Sequence, residues 1–149
     1  MKILNFLQVN EYLATSGQPK EEEFSLIAGL GYETVINLAL PTAENAVPME
    51  NSIVTGLGMS HFHIPVIWET PQEEQFRLFV YLMEYFIDRK TWVHCALNMR
   101  VSCFVYLYRT LYQGIPKEQA RLLVSKIWQP NEVWTAFIHQ IEKTYYAKV

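Results

Sequence analysis

Short apolar runs alternate along the chain with longer amphipathic segments, and most boundaries carry a turn signal. Leu13 to Ser16 predicts a first strand, after which Gly17-Gln18-Pro19 turns into a helix. That helix has Pro19 near its first position, Glu21, Glu22 and Glu23 in its first turn and Gly31 as its stop. Phe24, Ile27 and Ala28 make its inner face. Thr34 to Leu38 is a short β-branched run, the pattern of a strand covered on both faces. A helix is expected over Pro48 to Leu57 and a strand over Ser60 to Val66. Thr70-Pro71-Gln72-Glu73 reads as a capping box opening a helix with Phe76, Phe79, Val80, Met83 and Ile87 inward.

Thr91 to His94 is the next strand, and Val101 to Tyr112 is apolar almost all round, which predicts a helix enclosed by others. Gly114-Ile115-Pro116 ends it and opens another, Pro116 to Ile127. A last amphipathic helix starts near Pro130-Asn131 with Trp134, Phe137, Ile138 and Ile141 inward. Strands and helices in alternation, without repeats and with one irregular stretch at Pro41 to Pro48, predict an α/β fold. The expected architecture is a central, mainly parallel sheet of about four to five strands flanked by helices, with a helical C-terminal third. At 149 residues the whole chain, 1–149, is read as a single domain large enough to keep a real core.

Composition removes several classes of function. The net charge is −3 with no stripe of Lys and Arg, so the phosphate neutralisation on which nucleic-acid binding rests is missing. No apolar run reaches the length of a membrane span and the first residues lead into no signal-peptide core, so a soluble, cytoplasmic protein without membrane partners is expected. Two cysteines, Cys95 and Cys103, make no disulfide framework, and no CxxC or HxxxH pairing suggests zinc. His61 and His63 share one face of a strand but have no third ligand in view, and they read as polar strand positions or a functional rim.

The chemistry concentrates in HCALNMRVS, residues 94 to 102. A strand ending at Cys95 and a helix beginning near Arg100 aim the loop N–H groups and the positive helix end at one point, which is how anions are bound. The same field favours the thiolate, the nucleophilic form of Cys95. Arg100 adds planar, paired donors matched to a tetrahedral oxyanion. Asn98 takes the middle of the turn, where its tolerance for left-handed backbone angles replaces that of a glycine. The competing reading is a buried apolar Cys95 beside an uninvolved Arg100.

His94-Cys95, Arg100 and Ser102, with LATSGQP at 13 to 19, VINLAL at 35 to 40 and HIPV at 63 to 66, resemble the cysteine-dependent tyrosine and dual-specificity phosphatases, especially small bacterial phosphatase-like proteins. The resemblance implies the phosphatase α/β fold, a phosphocysteine intermediate and no cofactor or metal. It implies that Cys95 attacks phosphorus and that Ala96, Leu97, Asn98, Met99 and Arg100 hold the phosphate. It further implies that the His94 ring sets the loop and tunes the thiolate, and that Ser102 assists the leaving thiolate. The partner would be a phosphorylated protein or a small phosphate ester.

Two features differ from that family. Its pattern HCxxGxxRS has five residues between Cys and Arg, whereas four separate Cys95 from Arg100, so Arg100 and Ser102 cannot both align. Asp88, the chain's one Asp, lies at the wrong end of the Cys95 strand to protonate a leaving group. Glu69, after HIPVIW, is the candidate acid, with a solvated helix-start carboxylate as the competing reading. Two alternatives follow: a pseudophosphatase that binds phosphate without turnover, and a sulfurtransferase, since the loop also resembles the CxxGxR of rhodanese-like proteins. Cys103 is read as core packing rather than a disulfide partner. Trp68 could line a pocket for an aromatic phosphate or belong to the core, and Gln129-Pro130-Asn131 could reach the site mouth.

Overall fold

The computed structural model describes residues 2–148. Five strands form one sheet in the order β1-β2-β5-β3-β4: β1 (Leu7–Asn10), β2 (Leu13–Ser16), β3 (Thr34–Asn37), β4 (Ser60–His63) and β5 (Thr91–His94). β2, β5, β3 and β4 run parallel, and β1 joins the edge as an antiparallel hairpin partner of β2. Six helices follow in order: α1 (Glu23–Gly29), α2 (Glu50–Gly56), α3 (Glu73–Tyr85), α4 (Met99–Tyr112), α5 (Lys117–Ser125) and α6 (Glu132–Ala147). This is the expected α/β architecture with its helical last third.

The sheet separates two cores. On one face Trp92, Val35 and Ala14 pack with Phe24 and Ile27 of α1 and Val54 of α2. On the other, Val93, Ile36 and Cys95 pack with α3, α4 and α6. Strand residues alternate between faces, so β5 sends Trp92 and His94 to the α1/α2 side and Val93 and Cys95 to the α4 side. Phe104 of α4 meets Phe76, Phe79, Trp134 and Phe137 at centroid distances of 5.5 to 6.1 Å. Rings buried this fully contribute roughly 2–3 kcal/mol each by area, which explains why α4 is apolar almost all round.

Several boundaries differ from the sequence reading. β1 was not anticipated, because its LQVN pattern is half exposed on an edge and carries little apolar signal. α1 starts at Glu23 rather than near Pro19; Lys20, Glu21 and Glu22 form a preceding turn, where the Lys20 N–H donates to the Glu23 carboxylate at 2.7 Å. β4 stops at His63, although the Ile64 and Val66 N–H groups still donate to the Asn37 and Leu38 carbonyls at 2.9 and 3.0 Å. The capping box sits two residues beyond the expected one, with Gln72 as N-cap and Gln75 reaching back to it. Ile87 lies past the end of α3 and is exposed rather than inward. α4 begins at Met99, two residues earlier than expected. No helix among the described residues is long and apolar enough to cross a membrane.

Candidate active site

β5 is the central strand, and its register places His94 level with Ser16 of β2 and Asn37 of β3. The chain leaves the sheet at Cys95 between two further loops at the carboxyl ends of parallel strands, the position where open α/β sheets bind ligands. The Leu38 N–H donates to the His94 carbonyl at 2.8 Å, tying the loop start to β3.

Residues 95 to 98 are held by their carbonyls. The Ala96 carbonyl accepts from the Gln18 N–H at 3.1 Å and from Asn45 Nδ2 at 3.0 Å. The Leu97 carbonyl accepts from Asn5 Nδ2 at 3.0 Å. The Asn98 carbonyl accepts from the Ser102 N–H at 2.9 Å, the first bond closing onto α4. By contrast, the six consecutive N–H groups from Ala96 to Val101 donate to no protein acceptor among the described residues. Oriented backbone donors at a helix start, with their carbonyls engaged elsewhere, make an anion-binding concavity.

Asn98 gives the loop its turn. Its φ of 66° is left-handed, and the side chain is fully buried, with Nδ2 donating to the Asn5 carbonyl at 2.8 Å and Thr15 Oγ1 at 3.1 Å. Its Oδ1 is buried without a partner. The role expected of Asn98 as a stand-in for glycine therefore has a second part, the attachment of the loop to the segment before β1. Gly17 lies against the same loop from the other side: a Cβ there would stand 2.8 Å from the Ala96 carbonyl oxygen.

Arg100 stands in the first turn of α4, half-buried, its guanidinium carbon 5.4 Å from the centre of the Trp68 ring. Its Nε is buried without a hydrogen bond, and no carboxylate pairs with it among the described residues. Cys95 is completely buried. The Ser102 hydroxyl donates to the Met99 carbonyl at 2.7 Å and accepts from Trp128 Nε1 at 3.0 Å. Glu69 is exposed in the turn after Trp68, whose own carbonyl accepts from Trp134 Nε1. Trp68 thus touches both Arg100 and the core, with Trp128 and Trp134 at 5.3 and 6.0 Å.

Cys103 is buried in the α4 core, and burial pushes its thiol up to about 12. His61 and His63 make separate bonds, His61 Nε2 to Glu50 Oε2 at 2.8 Å and His63 Nε2 to the Ala39 carbonyl at 2.6 Å.

One residue was missed by the sequence reading. Glu50, the first residue of α2, is buried and receives three hydrogen bonds, from His61 Nε2 and His94 Nε2, each at 2.8 Å to Oε2, and from Gln18 Nε2 at 2.9 Å to Oε1. Burial by itself would raise its pKa, but the bonds from His61, His94 and Gln18 and the charge of His94 outweigh it and hold the carboxyl well below the usual range. Nothing in the sequence around Glu50 marks it, because its partners are brought in from β4, β5 and the segment after β2. It also lines a cavity of about 650 Å³, with His61 and His63, beneath residues 40 to 49.

A mainly parallel sheet whose central strand delivers a buried cysteine into a loop of free N–H groups at the start of a buried helix defines the class of cysteine-dependent phosphatase folds. The crystal structure of a candidate phosphatase (DUF442) from Shewanella putrefaciens CN-32 is 31% identical, with a TM-score of 0.87 over 97% of this chain and 95% of that one. The chain belongs to this DUF442 family. Tk-PTP in its active form (18% identity, TM-score 0.76, 97% of this chain and 98% of that one) shares the fold. So does Pseudomonas aeruginosa TpbA in complex with pTyr (14%, 0.75, 97% and 90%). Among curated proteins, a beta-lactamase hydrolase-like protein of Xylella fastidiosa (strain Temecula1 / ATCC 700964) is 25% identical over 123 residues, 80% of this chain and 28% of that protein. The chain therefore spans less than a third of the length of the curated relatives it matches. No family model matches it.

Proposed function

We propose that the chain hydrolyses a phosphomonoester, on a protein or a small molecule, through a phosphocysteine on Cys95. The observation that carries this reading is the row of six unengaged N–H groups from Ala96 to Val101 beginning beside the buried thiol. These donors and the Arg100 guanidinium suit the equatorial oxygens of a phosphate, whose charge grows in the transition state. The Cys95 thiolate attacks phosphorus, a P–S bond forms, the P–O bond to the alcohol breaks, and the departing oxygen takes a proton from Glu69. Water then gives a proton to the Glu69 carboxylate and attacks phosphorus as the P–S bond breaks, returning the thiolate, inorganic phosphate and protonated Glu69. This covalent route calls on no metal ion.

A binding-only reading is favoured by one observation, the complete burial of Cys95, which leaves the cradle more open than the nucleophile. Release of p-nitrophenol from its phosphate ester separates the two. Turnover is expected in the wild type, with a loss of at least about 1,000-fold in Cys95→Ser and about 100-fold in Arg100→Ala. Equal release from wild type and Cys95→Ser would sink the covalent mechanism. Stabilisation by phosphate that is lost in Arg100→Ala, with no product from the wild type, would leave a phosphate binder. A persulfide mass on Cys95 with thiocyanate made from thiosulfate and cyanide would move the site to sulfur transfer.

A further inference from the structure

We propose that Glu50 is a positioning residue for the cysteine loop: it fixes the His94 ring with both nitrogens donating, and thereby sets the pH range over which Cys95 reacts. The inference rests on the reading of Cys95 as nucleophile and adds the group that governs it. Both ring nitrogens of His94 face oxygens that only accept, Nε2 the Glu50 carboxylate at 2.8 Å and Nδ1 the Cys95 carbonyl at 3.3 Å. A ring between two acceptors satisfies both when both nitrogens carry hydrogen, and that form is a cation. His94 is completely buried, so the charge needs an ionised neighbour, and Glu50 is the carboxylate that meets it.

The groups facing Glu50 are His61 from β4, His94 from β5 and Gln18 from the segment after β2; α1 presents Phe24, its ring 6.1 Å from that of His94. On the thiol's side the neighbouring titratable group is Cys103 of α4. The hydrogen bonds that keep Glu50 ionised despite burial agree with a permanent charge at this place.

The backbone supplies an independent observation. Met49, which precedes Glu50 and caps α2, has a left-handed φ of 62° and is exposed, so its own side chain gains nothing from the strain. A non-glycine residue held this way costs on the order of 1 kcal/mol, and such strain persists where the surroundings over-determine it. Here the over-determining contacts are the three bonds that orient the Glu50 carboxylate.

The His94 ring meets the Cys95 carbonyl at 3.3 Å, and a positive charge on it favours the ionised thiol of the same residue. The test follows the ultraviolet absorbance of the thiolate against pH, wild type minus Cys95→Ser, in Glu50→Gln, His94→Asn and the double variant. Cys103 stays silent in this range because its thiol is pushed up to about 12. Glu50→Gln is expected to move the Cys95 profile up by about one pH unit, about tenfold less thiolate at a given pH. His94→Asn should move it at least as far, and the double variant no further than His94→Asn alone.

An unmoved profile in folded Glu50→Gln, or additive shifts in the double variant, overturns the role. Should circular dichroism show Glu50→Gln unfolded, nitrogen-edited NMR of the wild-type His94 ring decides: hydrogens on both ring nitrogens at neutral pH support the proposal, and one alone overturns it. Thiolate absorbance is read without turnover, so an inactive protein with the expected shift would refute the phosphatase reading and leave this one standing.

Discussion

Replacing Asn98 tests how the loop is built, because one side chain supplies both its turn and its anchor. Asn98→Ala deletes the bonds from Nδ2 to the Asn5 carbonyl and Thr15 Oγ1. At about 1 kcal/mol net each, that is roughly 2 kcal/mol. It also places a Cβ residue without Asn's local bonding at φ 66°, which adds about 1 kcal/mol. Removal of Oδ1, buried without a partner, returns about 1 kcal/mol. The net destabilisation is therefore about 2 kcal/mol. Asn98→Gly loses the same bonds but escapes the steric cost of about 1 kcal/mol, and after about 0.5 kcal/mol for its larger unfolded-state entropy it should be milder than Ala by about 0.5 kcal/mol. Urea midpoints at unchanged m-value measure both variants. The reasoning fails if Gly is as damaging as Ala, since the left-handed turn would then carry no energy, or if neither differs from wild type, since the anchor would then be inert. Phosphate-dependent stabilisation should fall in both, because the N–H groups of residues 96 to 101 lose their common orientation.

Three further outcomes follow from the same contacts. Gly17→Ala sets a Cβ 2.8 Å from the Ala96 carbonyl oxygen, so the loop must shift, with a loss of about 1–3 kcal/mol in chemical denaturation and a larger proportional loss of phosphate-ester turnover. Glu50, its pKa held down in the folded state, contributes stability that is complete above the ordinary glutamate range and lost as pH falls below it. Acid unfolding of the wild type should therefore steepen below about pH 4.5 and flatten in Glu50→Gln, and parallel curves would contradict that. Trp68→Ala removes the ring beneath Arg100 and its contacts with Trp128 and Trp134, with an expected cost of about 3 kcal/mol and a weaker thermal stabilisation by sulfate. Retention of the full sulfate effect would show that Arg100 needs no platform.

The local pattern of the chain already carried its architecture. β-branched runs at Thr34 to Asn37 and Thr91 to His94 have no exposed face, so burial on both sides was written in their composition. The all-round apolar α4 could only be enclosed, and the strand, cysteine, turn and helix succession made the 95 to 100 loop visible as chemistry. Weaker local signals misled: the polar edge strand β1 has no apolar stripe, and a plausible cap at Thr70 lost to Gln72, where both reciprocal bonds form.

What only the tertiary structure decided is what surrounds the loop. Asn5 and Asn98 meet across 93 residues, and Glu50 and His94 across 44, because β2 and β3 flank β5 in space while lying far from it in the chain. Periodicity records which face a residue turns to its neighbours, but it does not record which neighbours stand there. The thiol and the guanidinium could thus be read from nine consecutive residues. The carboxylate beside His94 could not, since its place is set by the packing of α2 against the end of a sheet whose strand order is not that of the sequence.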